Sequence, residues 1–363
     1  MFVCLMIPSD MNHDPRTFRP SGFNLGGWLS QSPLTDRHIE TFIGPSDFSR
    51  IADWGFNSVR LPVDASWIFQ QEGAGPVDTD HFRFLEKAFG WAWSNGLAVV
   101  FDLHQSPWHS FARPEIHDLW KDPRALEKFA AQWAELARRF RGAPGPLWAE
   151  LLNEPTAADP ADWNKVAKAL VGAVRAENKS LELVVESTCW GALDKLEPLA
   201  VAMSGDHLVL SFHFYEPMFV THQRAPWWKD GSFYTETVSY PGEPAHWRAY
   251  QARTDLGPLA QALVAKNGRH WDKEALRELL RPAHELILSG VPVYCGEFGV
   301  YEKAPRATRL AWTRDAVELL KEIGAGWAYW NYKWLDFGVL PKPQGDGLSV
   351  PDLEMVELLK LGR

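Results

Sequence analysis

Short apolar segments that alternate with longer amphipathic ones restrict the fold of this chain more than any other feature. The short segments are candidate strands, and we identify eight of them: Gly22–Leu25, Ser58–Pro62, Ala98–Leu103, Leu147–Leu152, Leu183–Glu186, Leu208–Phe214, Val291–Cys295 and Gly326–Trp330. The longer segments have apolar residues at helical spacing: Phe82–Trp93, Leu126–Phe140, Ala161–Glu177, Lys273–Leu288, Thr308–Ile323 and Asp352–Leu361. Because helices between strands let neighbouring strands run parallel, this alternation predicts an α/β fold, a (β/α)8 TIM barrel.

An open, doubly wound sheet is the alternative fold for such an alternation. Sheets of that kind usually have a glycine-rich phosphate loop after the first strand, and the sequence contains neither GxGxxG nor GxxxxGK[ST]. A length of 363 residues would allow two domains, yet α/β barrels commonly exceed about 250 residues as one domain. We therefore expect residues 1–363 to form a single barrel domain.

One predicted connection is much longer than the others. Residues 216–271, after the sixth strand, are rich in aromatic side chains, which include Trp227, Trp228, Phe233, Tyr234, Tyr240, Trp247 and Tyr250. A long loop inside a compact domain is usually functional. We therefore expect this insertion to line a substrate cleft at the C-terminal face of the barrel; the alternative is a structural insertion packed on the flank of the barrel.

The composition is typical of a globular protein, with 46% hydrophobic and 23% charged residues. The net charge of -9 and the lack of a basic cluster argue against a nucleic-acid partner. No apolar run approaches the roughly 20 residues of a membrane helix, so we expect no membrane partner. The N-terminus lacks the basic region and the apolar stretch of a secretory signal. The expected location is therefore the cytoplasm, or export with the signal segment missing.

The cysteines and tryptophans bear on the kind of site. Cys4, Cys189 and Cys295 include no CxxC pair, which argues against a zinc ribbon or a thioredoxin-type redox site. We expect Cys295 to be a small buried strand residue. The 19 tryptophans fit a large core and a carbohydrate site equally well, since indole rings bury well and also stack on the apolar faces of sugars.

Catalytic groups of such a barrel lie at the C-terminal ends of the strands. Six predicted strands end in ionisable, amide or aromatic residues: Arg60; Asp102 and His104; Asn153 and Glu154; His213 and Tyr215; Glu297; Trp330 and Asn331. One such residue alone is usually a satisfied hydrogen-bonding group or a helix cap. Burying two glutamates, an arginine and two histidines on one rim would be costly without a function, so we predict an active site there.

These residues resemble the pattern of glycoside hydrolase family 5, the cellulase-type family with catalytic glutamates on strands four and seven. The most specific motifs are Asn153-Glu154-Pro155 and Gly296-Glu297-Phe298-Gly299. The resemblance extends over almost the whole chain, from the segment GFNLGGW at 22–28, similar to a branch that includes β-1,3-glucanases, to Trp330. Other positions that match supporting or substrate-binding residues of the family are Asn24, Trp28, Arg60, His104, Asn153, His213, Tyr215 and Trp330.

The resemblance implies a retaining hydrolase with Glu154 as acid/base and Glu297 as nucleophile. Arg60 and the Tyr215 hydroxyl would hold Glu297 ionised and oriented. The negative charge of Glu297 would in turn raise the pKa of Glu154, which would keep its proton for the leaving group.

The remaining residues are expected to bind the sugar. Asn153 would bond the sugar 2-hydroxyl, an interaction that strengthens in the transition state. His104 and His213 would bond sugar hydroxyls or Glu154, and Trp330 would form the stacking floor of the -1 subsite.

The expected function is that of an endo-acting β-glucanase, a monomer that binds a β-linked oligo- or polysaccharide and needs no cofactor or metal. An exo-acting β-glucosidase or β-1,3-glucanase, a mannanase-type enzyme and a transglycosylase on the same machinery remain alternatives. A metal-dependent barrel hydrolase that uses His104 and His213 is disfavoured, because the first strand has no HxH pair. A non-catalytic carbohydrate-binding protein is disfavoured because both glutamates are present.

Overall fold

The computed structural model describes residues 17–343 and 348–363. Its strands are β1 (Ser21–Asn24), β2 (Ser58–Asp64), β3 (Ala98–Gln105), β4 (Leu147–Glu150), β5 (Glu182–Glu186), β6 (Leu208–Phe214), β7 (Val293–Phe298) and β8 (Gly326–Tyr329). All eight predicted strands are confirmed. The prediction for the seventh strand ended too early, since β7 continues to Phe298 and includes Glu297. Cys4 and the N-terminal segment lie outside the described residues.

The strands close into a parallel barrel in sequence order, because β1 pairs with both β2 and β8. This confirms the (β/α)8 barrel. The register shifts between Val63 and Asp64 and again between Phe212 and His213. Such irregularities are common beside active sites because they re-aim a side chain. The second shift pairs His213 with Glu297 at the rim of the barrel.

Helices follow the strands around the outside of the barrel. In chain order they are α1 (Asp36–Phe42), α2 (Pro45–Asp53), α3 (Ala65–Ile68), α4 (Thr79–Ser94), α5 (Asp118–Lys121), α6 (Pro123–Arg139), α7 (Pro160–Glu177), α8 (Thr188–Gly191), α9 (Leu196–Ala202), α10 (Met218–Thr221), α11 (Trp247–Gln251), α12 (Pro258–Asn267), α13 (Lys273–Leu288), α14 (Arg306–Ile323) and α15 (Leu353–Leu359). All six predicted helices are present. Of the helices in the described residues, none is both long and apolar enough to cross a membrane.

Aspartates begin several of the long helices. Asp78, Asp122, Asp159 and Asp272 each accept a hydrogen bond from a backbone N–H of the first turn. These N–H groups have no partner within the helix, so an aspartate at the N-cap position stabilises the helix start. The short α8 is different: Cys189 and Trp190 have φ values of 58° and 60°, which make it a left-handed turn directly after β5.

Alternation of side chains along the strands builds two layers inside the barrel. The lower layer is apolar: Val100, Trp148, Val184, Val209, Tyr294 and Ala328. Two positions later on β3, β4 and β5 come Asp102, Glu150 and Glu186, each with 0% exposure. The two-residue period of a strand therefore places three carboxyl groups directly above an apolar floor.

Most tryptophans belong to the hydrophobic core. Trp133 and Trp163 are fully buried between helices and barrel, and their indole N–H groups donate to the backbone oxygens of Leu151 and Glu186. The strongly exposed tryptophans of the described residues are Trp190 and Trp227, 45% and 49% exposed. Burial in the hydrophobic core therefore accounts for most of the tryptophans. Cys295 is fully buried, as expected.

The insertion after β6 contains α10, α11, α12 and its own aromatic cluster, formed by Phe219, Trp228, Phe233, Tyr234, Trp247 and Tyr250. One part packs on the barrel flank, where the Tyr240 hydroxyl donates to Asp315 of α14 at 2.7 Å. Another part reaches the rim, where Trp227 contacts Tyr301 and Phe337. The insertion thus contacts both the flank and the rim of the barrel, and its role in lining a substrate cleft stays a prediction.

Candidate active site

Arg60 of β2 lies at the centre of the polar layer and has 0% exposure. Its guanidinium donates hydrogen bonds to four side chains: Glu150 (2.7 Å), Glu297 (2.8 Å), Asn24 (2.8 Å) and Asn153 (2.7 Å). Asp102 lies 3.1 Å from the same group. Burial alone would lower the pKa of Arg60, but the surrounding carboxylates raise it well above its ordinary value. Arg60 therefore stays charged and connects residues of β1, β3, β4 and β7.

Glu297 of β7 is held at both carboxylate oxygens. Oε1 accepts from Arg60 and Oε2 accepts from the Tyr215 hydroxyl at 2.9 Å. Burial, with added repulsion from the Glu297 charge, raises the pKa of Tyr215 well above its usual value, so Tyr215 keeps its proton and remains a donor. A fixed carboxylate with a cation and a donor beside it is suited to act as a nucleophile.

Glu154 follows β4 with a φ of 46°, a backbone conformation that residues other than glycine rarely adopt. Its carboxylate Oε1 lies 3.0 Å from Nδ1 of His213. Burial raises the pKa of Glu154 to about 7. The direction agrees with the sequence-based expectation, but the main cause is burial rather than the charge of Glu297. A carboxyl group in this state can donate a proton near neutral pH.

The two glutamates lie close together. One carboxylate oxygen of Glu154, one of Glu297 and a ring nitrogen of His213 are all within 4.8 Å of one another. Retaining glycosidases have their carboxyl groups about 5–5.5 Å apart, whereas inverting enzymes need about 6.5–9.5 Å to admit a water molecule. An approach of one oxygen of each carboxylate to within 4.8 Å is compatible with the shorter range and with direct attack by a carboxylate on the substrate.

His104 and Trp330 form a stacked pair at the rim. The ring of His104 lies parallel to that of Trp330, with centroids 5.8 Å apart, and its Nδ1 is 2.7 Å from Asp102. Burial lowers the pKa of His104. Trp330 also touches Gly26, where a Cβ atom would lie 2.6 Å from the indole ring. Both rings are therefore held in place. Of the two histidines that were expected to bond sugar hydroxyls or Glu154, His213 is the one that contacts Glu154.

Asn24 and Asn153 each accept a hydrogen bond from a different terminal nitrogen of Arg60. Asn24 also donates to the backbone oxygen of Gly296 at 2.9 Å, which joins β1 to β7. The Nδ2 group of Asn153 is buried and has no hydrogen-bond partner among the described residues, as a donor reserved for a sugar hydroxyl would require. His109, which the sequence did not single out, lies 3.0 Å from the backbone oxygen of Glu154 and holds that turn.

The structure contradicts the expectation that Trp28 binds substrate. Trp28 has 0% exposure, its indole N–H donates to the backbone oxygen of Ile39 at 2.8 Å, and its ring stacks on Trp91 of α4. The prediction is wrong because the chain after β1 directs this ring into the core beneath α4. No face of the indole remains for a sugar.

Three buried carboxyl groups of the site were not assigned a role from the sequence. Asp102 faces His104, Glu150 faces Arg60, and Glu186 faces His213. Burial raises the pKa of all three, that of Asp102 to about 7. The sequence did contain a signal for them. Each is a charged residue at an inward-facing position of an apolar strand, two residues after a side chain of the apolar layer.

Among residues 17–343 and 348–363, two groups of side chains have spacings that would suit a metal ion. They are Glu150, Glu186 and His213, and Glu154, His213 and Glu297. Arg60 is hydrogen-bonded to a member of each group, and its charge would repel a metal cation. The arrangement therefore favours acid–base and nucleophilic chemistry.

Comparison with known proteins agrees with this chemistry. Residues 26–334 match the family described as cellulase (glycosyl hydrolase family 5). The chain belongs to glycosyl hydrolase family 5. It is thus a glycoside hydrolase, and the resemblance inferred from its motifs is confirmed.

Several relatives and solved structures cover most of the chain. Endoglucanase C of Acetivibrio thermocellus is 33% identical over 321 residues, which cover 88% of this chain and 92% of the relative. Cellodextrinase A of Ruminococcus flavefaciens is 29% identical, with 84% and 82% covered. Among solved structures, a glycoside hydrolase superposes with a TM-score of 0.76 at 25% identity, covering 95% and 100%. Thermotoga maritima Cel5A in complex with cellobiose gives 0.72 at 25% identity, covering 95% and 98%.

Proposed function

We propose that this family 5 hydrolase is a retaining endo-β-glucanase that cleaves β-linked glucans by double displacement. The observation that supports retention is the approach of the Glu154 and Glu297 carboxylates to within 4.8 Å. The relative named Endoglucanase C supports the choice of a glucan and of internal cleavage.

In the first step, Glu297 attacks the anomeric carbon while Glu154 gives its proton to the departing glycosidic oxygen. The carbon–oxygen bond to the leaving sugar breaks, and an ester bond to Glu297 forms. Arg60 and Tyr215 orient the attacking carboxylate through their hydrogen bonds to its two oxygens. Asn153 bonds the sugar 2-hydroxyl, and this interaction strengthens as positive charge develops on the ring.

In the second step, Glu154 is a carboxylate and acts as the base. It accepts a proton from a water molecule whose oxygen attacks the anomeric carbon, and Glu297 leaves with the ester electrons. Two inversions at the same carbon restore the starting configuration. One residue thus serves as acid and then as base.

Exposed tryptophans on the rim support binding of a long chain. The indole N–H of Trp190 donates to the backbone oxygen of Phe111 in the loop after β3. Trp227 packs against Tyr301 and Phe337 in the loops after β7 and β8. Each keeps nearly half of its surface free to stack on a sugar ring. The relative named Cellodextrinase A favours a second candidate, an enzyme that prefers soluble oligosaccharides.

The mechanism is tested with a panel of β-linked polysaccharides and aryl glycosides, using Glu297→Gln on the best substrate. We expect this variant to lose at least about 10³-fold of activity, because it lacks the nucleophile. The matched control is Glu302→Gln, an exposed carboxyl just after β7 that pairs with Lys303, and it should retain wild-type activity. Near wild-type activity of Glu297→Gln would refute the mechanism.

Internal cleavage is tested on carboxymethyl cellulose by following viscosity and reducing ends together. An endo-acting enzyme lowers the viscosity steeply after few bond cleavages. A release of reducing ends that proceeds without an early fall in viscosity would support the oligosaccharide-preferring alternative instead.

A further inference from the structure

Glu186 of β5 and His213 of β6 present two buried polar atoms to each other. Oε1 of Glu186 and Nε2 of His213 lie 3.5 Å apart, and neither has a hydrogen-bond partner among the described residues. The two side chains are 0% and 1% exposed, so bulk water does not reach them. Buried polar groups are rarely left unpaired, and one proton shared between these atoms would satisfy both.

The other ends of this pair both reach Glu154. Oε2 of Glu186 accepts a hydrogen bond from the backbone N–H of Glu154 at 2.8 Å. Nδ1 of His213 lies 3.0 Å from the Glu154 carboxylate. Glu186 therefore contacts the main chain of Glu154 directly and its side chain through the histidine ring.

Gly191 in the left-handed turn α8 closes over this pair. Its φ is 68°, and a Cβ atom there would collide with Oε1 of Glu186 and lie 2.7 Å from the backbone nitrogen of His213. Only glycine meets both demands at low cost. The turn therefore packs directly against Glu186 and His213 and covers them.

We propose that Glu186 is a positioning residue for the acid/base, because it determines which ring nitrogen of His213 holds the proton and hence whether the histidine accepts from or donates to Glu154. This role depends on the function proposed above. Glu186 itself does not touch the substrate.

Two arrangements with the same number of protons are possible. In the first, His213 Nε2–H donates to the Glu186 carboxylate, and Nδ1 accepts the O–H of Glu154. In the second, the Glu186 O–H donates to Nε2, and Nδ1–H donates to the Glu154 carboxylate. Each proton crosses one hydrogen bond between them, so no proton is gained or lost. The first arrangement is the one that keeps a proton on Glu154 for the leaving oxygen.

The surrounding charges are compatible with this sharing. Burial lowers the pKa of His213 to about 4, so the ring is neutral and has one N–H. Burial, followed by the nearby Glu150 and Glu154, raises the pKa of Glu186 well above its usual value, so Glu186 competes with Glu154 for the proton that the two share through the histidine ring. Other charged or titratable groups that face this cluster are Arg60, His104, Tyr215, Cys295 and Glu297.

The test is Glu186→Gln in the full-length enzyme. The amide can accept from the Glu154 N–H and donate to Nε2 of His213, which fixes the second tautomer and favours the ionised form of Glu154. We expect kcat/KM for cellotetraose to fall roughly tenfold to a hundredfold, since a general acid contributes about 10²–10⁴-fold. The basic limb of its pH profile should move to lower pH. With 2,4-dinitrophenyl β-cellobioside, whose leaving group needs no proton, the change should stay below about threefold.

The matched control is Glu150→Gln, an equally buried carboxyl on the neighbouring strand that bonds Arg60. Because Arg60 orients the nucleophile, this variant should lower kcat/KM for both substrates alike. Equal losses on both substrates for Glu186→Gln, or no loss and an unchanged pH profile, would overturn the proposal. Turnover of the activated glycoside also shows that the variant has folded.

Gly191→Ala provides a second variant should Glu186→Gln not fold. It displaces Glu186 without removing its carboxyl and should move the basic limb of the pH profile to lower pH, a change that lost sugar stacking at the neighbouring Trp190 would not produce. An unchanged pH profile would again overturn the proposal. Failure of the wild-type enzyme to cleave the dinitrophenyl glycoside, or activity of Glu297→Gln, would refute the proposed function instead.

Discussion

At the scale of single residues, the site is organised by one buried cation. Arg60 compensates the charges of Asp102, Glu150 and Glu297, whose side chains are all nearly fully buried. Taking charges out of water is costly, and the cost is recovered only when geometry and hydrogen bonding are good. In this site the buried charges also serve the function, because the guanidinium that pairs with these groups orients the nucleophile Glu297.

Arg60→Met should unfold more easily at neutral pH than at acidic pH. Removal of one partner of a buried charge pair costs about 3–5 kcal/mol, because the remaining carboxylates stay uncompensated. At pH 5 those carboxyls protonate more readily, so the decrease in the free energy of unfolding should be smaller. Urea denaturation at pH 5 and pH 7.5 measures it.

The control for that measurement is Arg83→Met, which removes an exposed partner of Asp80. Exposed pairs are worth about 0–1 kcal/mol, so this variant should stay near the wild type at both pH values. A loss for Arg60→Met that is equally small would contradict the central role of Arg60.

Glu154→Gln should be more stable than the wild type at alkaline pH. The folded pKa of Glu154 is raised from 4.5 to about 7, so its contribution is fully favourable below pH 4.5 and is lost as the pH rises to about 7. Glutamine does not ionise and escapes this loss. We expect a free energy of unfolding about 1–3 kcal/mol above the wild type at pH 8 and no difference at pH 4.5. An equal offset at both pH values would argue against a raised pKa.

At the scale of elements, the longest helices were the most predictable. Long helices such as α6 and α13 repeat their apolar positions over several turns, and their bounds were predicted within a few residues. The short α1, α2 and α9 span seven to nine residues, too few turns for the apolar period to stand out. Their existence follows from the barrel surface against which they pack.

Asp122→Ala should destabilise α6 without affecting catalysis. Asp122 accepts a hydrogen bond from the backbone N–H of Arg124 at the start of this helix, and loss of such a cap costs about 0.5–2 kcal/mol. The cap lies outside the active site, so kcat and KM should stay unchanged. Thermal denaturation and steady-state kinetics measure the two effects, and a large change in kcat would show that α6 is coupled to the site.

At the scale of the whole molecule, the rim offers exposed indole rings in the loops after β5 and β6. Trp190→Ala and Trp227→Ala should each raise KM severalfold for long cello-oligosaccharides, since an apolar contact of this size is worth about 1 kcal/mol. An aryl cellobioside occupies few subsites. For at least one of the two variants, its cleavage should therefore change less than that of the long cello-oligosaccharides. Leu288→Ala, an exposed apolar residue at the end of α13, serves as control. Unchanged KM values for both tryptophan variants would argue against sugar stacking there.

The sequence by itself determined the fold and the pair of glutamates. Strand and helix periods are local properties, so eight alternating units could be recognised without any tertiary contact. Parallel strands of a barrel end at the same rim, which brought Arg60, Glu154 and Glu297 together in the prediction.

Only the tertiary structure decided which face each remaining residue presents. Trp28 follows β1 within the matching motif yet points into the core, whereas Glu150 and Glu186 point into the barrel above its apolar floor. Such choices depend on the register of neighbouring strands and on turns such as α8, whose neighbours are distant in sequence. The same is true of the cause of the raised pKa of Glu154: the sequence predicted its direction, but only the tertiary structure shows that burial raises it.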